Sequence, residues 1–292
     1  MDIAVQRTPR RWRRLVAYRT GNGVAIVSGL VLLGLVSLAI FGPLFAPDPA
    51  AQDLANRLQP PAFAGGDERY VFGTDHLGRD IFSRLANGAR ISLIVASASL
   101  ALSAVLGTFV GLIAGYYRGT VDDVVMRVVD VQLAVPYVLL AITLVALIGP
   151  SFGSVVLVLL LYAWVIYARL VRAEVLALRE QEFVLATRAM GASDARIILR
   201  HLLPNIVTLL IVISTLELAN LIIIEAALGF LGLGIPPPTA TWGGMLADGR
   251  SYLTTGIWWV SVIPGLAIMF TILAVNILGD WLRDRLDPRL MT

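Results

Sequence analysis

Residues 182–205 read EFVLATRAMGASDARIILRHLLPN, the longest polar interruption in an otherwise apolar chain. The stretch does not have the composition of a loose loop. Phe183, Ala186, Thr187 and Met190 fall at helical spacing, with Glu182 and Arg188 on other faces. Gly191 is expected to stop that short helix, because glycine leaves a helix through positive φ without strain. Ser193 is placed to cap a second helix, Asp194 stands in its positive first turn, and Ile197, Ile198 and Leu202 give it an apolar side. Pro204 is expected to end it just before the next apolar run. Two short helices around a glycine elbow, held at a membrane surface, form a docking surface for another protein. The alternative is an ordinary amphipathic loop between two spans.

Composition sets the class. The chain has 292 residues, 58% hydrophobic and 15% charged, with a mean hydropathy of +0.81. A soluble domain of this size is not so apolar, so the fold class is an all-α polytopic membrane protein. There is no cysteine, hence no disulfide, thiolate nucleophile or cysteine metal site. There is no lysine either, which excludes a Walker A loop and with it a built-in P-loop ATPase. The net charge of +3 is explained by arginines on one side of a membrane, and no nucleic-acid partner is expected.

In chain order, a basic arm (Arg7, Arg10, Arg11, Arg13, Arg14 and Arg19) precedes an apolar run, 24–45, long enough to span a membrane. It reads as an uncleaved first span with its N-terminus in the cytoplasm. Prolines 47, 49, 60 and 61 and the Gly65-Gly66 pair give residues 46–90 an extended, turn-rich character on the outer face, without a packed domain. Asp75, His76 and Asp80 have metal-ligand chemistry, but one histidine beside acids reads first as a polar loop, and no metal site is assigned. A second span, about 91–116, carries Ser103, Gly107, Gly111 and Gly115 four residues apart, a groove of small residues for helix packing.

A third span reaches about Leu147; Pro136 kinks it, and Asp130 pairs locally with Arg127. Gly149-Pro150-Ser151-Phe152-Gly153 formally fits G-x-S-x-G but lacks the strand and nearby histidine of a nucleophile elbow, and no catalytic residue is assigned. The fourth span covers about 155–168. In the fifth, about 206–224, Ser214, Glu217 and Asn220 share a broad side and are candidate translocation-path residues; helix packing is the equal alternative for Glu217. An interrupted outer segment with Pro236-Pro237-Pro238 includes a short surface helix, and a sixth span covers about 258–278 between tryptophan anchors. The arginines of the arm and of residues 169–200 place both termini in the cytoplasm.

Longer peptides carry a resemblance. FGTDHLGRDIFSRLANGARISL (72–93), LGFLGLGIPPPTATWGGMLADG (228–249) and GDWLRDRLDPR (279–289) are similar to the second, C-type permease of dipeptide, oligopeptide and nickel ABC importers. Leu185-Ala186-Thr187, Gly191, Leu202-Leu203 and Pro204 occupy the positions of that family's E-A-A…G coupling motif; Leu185 stands for its first glutamate and Thr187 for its second alanine. Glu182, one turn earlier on a similar face, is the substitute for the missing acid.

The resemblance implies a type I ABC importer transmembrane fold of about six helices in a bacterial plasma (inner) membrane. It implies a homologous permease partner, two ABC ATPase subunits that bind ATP and Mg, an extracytoplasmic solute-binding protein, and no cofactor on this chain. Coupling to the ATPase then falls to Glu182, Ala186, Thr187, Arg188, Gly191, Ala192, Ser193 and Pro204. The expected organisation is 1–88 (arm, first span, outer loop), 89–280 (transmembrane domain with coupling loop 169–205) and 281–292 (tail). Peptide is the expected solute and nickel the alternative. An ion-coupled secondary transporter using Asp130 and Glu217 is the rival class, and six spans without an evident repeat weigh against it.

Overall fold

The computed structural model describes residues 10–286, with side chains from Asn22 onward. The basic arm and the tail residues Asp287, Pro288 and Arg289 lie outside those described side chains. The described residues are helical, with a single isolated bridge between Thr74 and Asp80. Among the described residues, five helices are long and apolar enough to cross a membrane, or six if a sharply bent pair counts as one span.

The first helix, α1 (Arg10–Phe45), packs along the last, α10 (Trp259–Leu286), and along α2 (Ile81–Tyr117). Of its described residues, 22–45, only Ala25, Ser28, Ala39 and Gly42 are buried, as suits an apolar helix at a bundle edge in lipid. α2 begins ten residues before the expected second span, because Asp80 caps it by accepting from the Ser83 N–H at 2.9 Å. Residues 88 and 89 therefore both lie inside α2, as 280 and 281 lie inside α10.

The third span is broken, not kinked. α3 (Gly119–Ala134) and α4 (Tyr137–Ile148) meet at 89°. The residue before a proline is disfavoured in the helical region, and Val135 sits at φ −88°, ψ 120°. Asp130 pairs with Arg169, not with Arg127: Arg127 is on its own helix, whereas Arg169 projects from the neighbouring α5 (Phe152–Leu178). Ser151 of the G-x-S-x-G turn forms a reciprocal capping box with Ser154 at the start of α5.

Beyond α6 (Glu182–Ala189), the chain enters α7 (Asp194–Ile197), one π turn (Ile198–Leu202) and α8 (Leu203–Phe230), which form a single rod of 37 residues. Pro204 therefore does not end the second short helix. Proline lacks an N–H and its ring collides with the carbonyl four residues back. Here the preceding turn is widened: the Leu203 N–H reaches back five residues to the Ile198 carbonyl, and the helix passes through the proline.

Two main apolar cores hold the bundle, beside a third, minor cluster of Val129, Trp164, Val165 and Ala168. The larger gathers Ile81, Leu85, Leu159, Leu221, Ile222 and Trp242, the last from the short helix α9 (Trp242–Gly249). The smaller, at the other end, joins Leu112, Val171, Val175, Val184, Ile197 and Ile206.

Residues 46–80 are turn-rich, as their prolines and glycines suggest, but the end of the segment, about 70–80, is packed on the bundle. The Trp259 indole donates to the Thr74 carbonyl at 3.1 Å, and Arg79 and Arg84 reach Asp248 of α9 at 3.1 and 2.9 Å.

Candidate functional site: an exposed elbow and a buried polar strip

Of the eight residues of α6, only Val184 is buried. It enters the smaller core and anchors the helix, while Phe183, Leu185 and Met190 project outward, Met190 with 79% of its surface exposed. Leu199 is exposed on the adjoining π turn. Apolar side chains this exposed at the tip of a helix pair are the signature of an interaction surface.

The helix ends at Gly191 in a Schellman motif. The Ala192 N–H donates to the Thr187 carbonyl at 3.3 Å, the Gly191 N–H donates to the Arg188 carbonyl at 2.9 Å, and Gly191 itself sits at φ +80°. No atom lies within 4 Å of where a Cβ would stand, so backbone conformation alone makes glycine fit here. Glu182, Ala186 and Arg188 are exposed around the elbow, and the Thr187 hydroxyl donates to the Phe183 carbonyl at 2.7 Å.

Ser193 occupies the expected N-cap position but makes no side-chain cap. Its carbonyl accepts from Ile197, and the first turn of α7 is held instead through Asp194, which accepts a 2.6 Å bond from the Tyr116 hydroxyl. Pro204 is exposed as the second residue of α8, just past the π turn.

The four small residues of α2 lie on its seam with α5. Ser103 donates to the Leu160 carbonyl at 3.2 Å, and Gly107, Gly111 and Gly115 face Tyr167, Val171 and Val175 in turn.

The strip on α8 divides. Ser214 is hydrogen-bonded to the Tyr167 hydroxyl of α5 at 3.0 Å, a packing contact. Asn220 is exposed and its amide reaches Glu217 Oε1 at 3.4 Å. Glu217 is 7% exposed and its Oε2 has no hydrogen-bond partner. The structure thus brings Glu217 and Asn220 together and turns Ser214 away toward α5.

At the opposite end, the sequence analysis missed a charge network. Asp75, fully buried, accepts from both Arg79 and Arg84, and both guanidiniums also reach Asp248. Burial alone would raise the Asp75 pKa. The Arg84 and Arg79 charges, with the Arg79 and Leu77 backbone N–H groups, overturn that and hold it below the ordinary carboxyl value. Ligand atoms of Asp75, His76 and Asp248 lie within 4.8 Å of one another, but two guanidiniums already neutralise both carboxylates. Asp80, the third residue of the sequence-based set, serves instead as the cap of α2.

Comparison with known proteins connects these features. Residues 107–292 match the family model for the binding-protein-dependent transport system inner membrane component, and residues 10–61 match the N-terminal transmembrane domain of oligopeptide transport permease C. The chain is 41% identical over 280 residues to the dipeptide transport system permease protein DppC of Alkalihalophilus pseudofirmus, covering 96% of this chain and 90% of that protein. It is 43% identical to the di/tripeptide transport system permease protein DppC of Pseudomonas aeruginosa, covering 92% and 89%. With the dipeptide transport system permease protein DppC of Bacillus subtilis it shares 40% identity, covering 97% and 86%. Among solved structures, a chain of the inward-facing MetNI methionine ABC transporter superposes with a TM-score of 0.57 at 20% identity, covering 70% of this chain and 96% of that one, which shows the shared transmembrane fold. An apolar helical bundle that exposes a glycine elbow, built on this fold and matched over most of its length, belongs to the binding-protein-dependent transport system inner membrane components, the permease subunits of ABC importers.

Proposed function

We propose that this chain forms one half of the translocation pathway of an ATP-driven importer of short peptides, and that the 182–205 elbow receives the mechanical work. The exposed elbow carries this reading: α6 presents Phe183, Leu185 and Met190 outward and passes through Gly191 into a rod that continues as α8. A chain without a Walker lysine that is driven by ATP must obtain its work through a contact with a separate ATPase.

In this reading Glu182, Ala186, Thr187, Arg188, Gly191, Ala192 and Ser193 seat in a groove of an ATPase subunit, and ATP and Mg bind to the ATPase pair. Pro204 marks the junction where the elbow becomes a transmembrane helix. The partners are a homologous permease, two ATPases and a solute-binding protein on the outer face. Both termini lie in the cytoplasm with the elbow, in keeping with the arginines at 169, 172, 179, 188, 196 and 200. Residues 1–88, 89–280 and 281–292 serve as lead-in span and outer loop, transmembrane domain, and cytoplasmic tail.

Closure of the ATPases would rock the elbow and rod as a unit and re-aim the side of α8 that carries Glu217 and Asn220 between outside and inside. The chain's likeness to dipeptide and di/tripeptide permeases favours peptides as solutes.

Reconstitution in lipid vesicles tests the reading. With the partner permease, ATPase pair and binding protein present, a labelled dipeptide mixture should enter only with ATP, and the binding protein should stimulate hydrolysis. Uptake driven by an ion gradient without ATPase subunits would replace the importer with a secondary transporter.

A further inference from the structure

Tyr116 stands in the last turn of α2 with 3% of its surface exposed, and three elements converge on it. Its hydroxyl donates to Asp194 Oδ1 at 2.6 Å, tying the first residue of α7 to α2. The Arg188 guanidinium of α6 lies over its ring at 5.4 Å from the centroid. Arg179, immediately after α5, lies over the same ring at 5.8 Å and donates to the Tyr116 carbonyl. Beside this joint, Arg118 and Glu180 close a further link between the ends of α2 and α5 at 2.8 Å.

The elbow has little else to fix its angle. Val184 is the one buried side chain of α6, and α7 contributes Ile197. Apolar contacts of that kind permit rotation about the contact point. A directional bond from a buried hydroxyl to a carboxylate does not, and charge-assisted bonds are the stronger class. Phenylalanine would fill the same volume and leave the cations over a ring, so packing by itself does not require the hydroxyl.

We propose that Tyr116 is the positioning residue that locks the elbow to α2 and α5, so that motion of α6 and α7 is imposed on those helices as well as on α8. This inference rests on the reading of the elbow as the ATPase contact. Force then leaves the elbow by two routes: along the rod into α8, and across the Tyr116–Asp194 bond into the α2–α5 pair. With the cross-link cut, the elbow turns on the rod alone and part of each ATPase stroke produces no rearrangement of the bundle.

The readout is labelled dipeptide imported per ATP hydrolysed by the reconstituted importer, beside melting temperature and ATPase association. Tyr116→Phe should lower the transport ratio about ten-fold or more with hydrolysis, association and melting temperature preserved, the scale of one lost bond to a charged group. Asp194→Ala should do the same, whereas Asp194→Asn retains the acceptor and should stay within about two-fold of the parent. The double variant Tyr116→Phe/Asp194→Ala should be no worse than either single change, since both remove the same bond. A parental ratio in Tyr116→Phe, or losses that multiply in the double variant, would overturn the joint. Met190→Asp separates the two levels: ATPase association that survives it removes the elbow reading itself, whereas lost association with a parental Tyr116→Phe removes only the joint.

Discussion

The carbonyl oxygen of Ala168 faces Gly111 so closely that a Cβ built on the glycine would stand 2.6 Å from it, with Val171 Cβ at 2.8 Å. Both obstacles belong to the core of α5, and one of them is backbone, so neither can swing aside. Gly111→Leu should therefore separate α2 from α5 at the centre of their seam and destabilise the bundle by about 3 kcal/mol. A melting curve of the detergent-purified chain reads this directly. An unchanged midpoint would mean that the seam is plastic.

Gly191→Val meets open space but a forbidden backbone. A β-branched residue at φ +80° costs about 1–2 kcal/mol, and the helix end unwinds to relieve it. Transport per ATP should fall several-fold while the bundle's melting temperature stays within a few degrees, and Gly191→Asn should recover most of the loss because asparagine tolerates the left-handed region. Equal transport by the valine variant would show that the elbow angle does not matter.

Met190→Asp places a charge on an apolar side chain that lies 79% exposed at the end of α6. ATPase association, followed by co-purification over a concentration series, should weaken about ten-fold or more, since a buried unpaired charge opposes docking. The isolated chain should melt as before. Weakened association together with an early melt would assign the effect to misfolding.

Asp75 makes its end of the bundle sensitive to acid in a defined window. Its folded pKa lies below the ordinary value of 3.8, so its contribution to stability is fully present above that value and is lost as pH falls through the folded pKa. The 46–80 segment should therefore resist limited proteolysis unchanged from neutral pH down to about 4 and open below it. Asp75→Asn should open it already at neutral pH, because two buried guanidiniums would then share only Asp248, a defect of about 3 kcal/mol or more. A variant as protease-resistant as the parent would show that Asp248 alone suffices.

The elbow was legible because its determinants are local. Gly191, the helical spacing of 183–190 and the polar break in an apolar chain are all read within a few residues. The spans were legible for the same reason, though their ends were not: α2 starts at Ile81 because Asp80 caps it, and α5 runs on to Leu178 through charged residues that hydropathy assigns to a loop. Pro204 misled because the usual rule assumes an α-helical turn before it, and here a π turn removes the collision.

Long-range pairs left no trace in the pattern. Arg79 meets Asp248 across 169 positions and Tyr116 meets Asp194 across 78, and no periodicity links either pair. Asp130 shows the same limit from the other side: a plausible neighbour three residues away loses to Arg169, which tertiary packing brings within reach.

The unbroken passage from Asp194 to Phe230 has a geometric consequence. Thirty-seven helical residues extend about 55 Å, nearly twice the thickness of a bilayer's hydrocarbon layer. Such a shaft acts as a lever. If it pivots near its midpoint by about 10°, each end sweeps about 5 Å, and the two ends travel in opposite directions. The opening of one mouth of the pathway and the closing of the other are then a single displacement, with no separate signal needed to synchronise them.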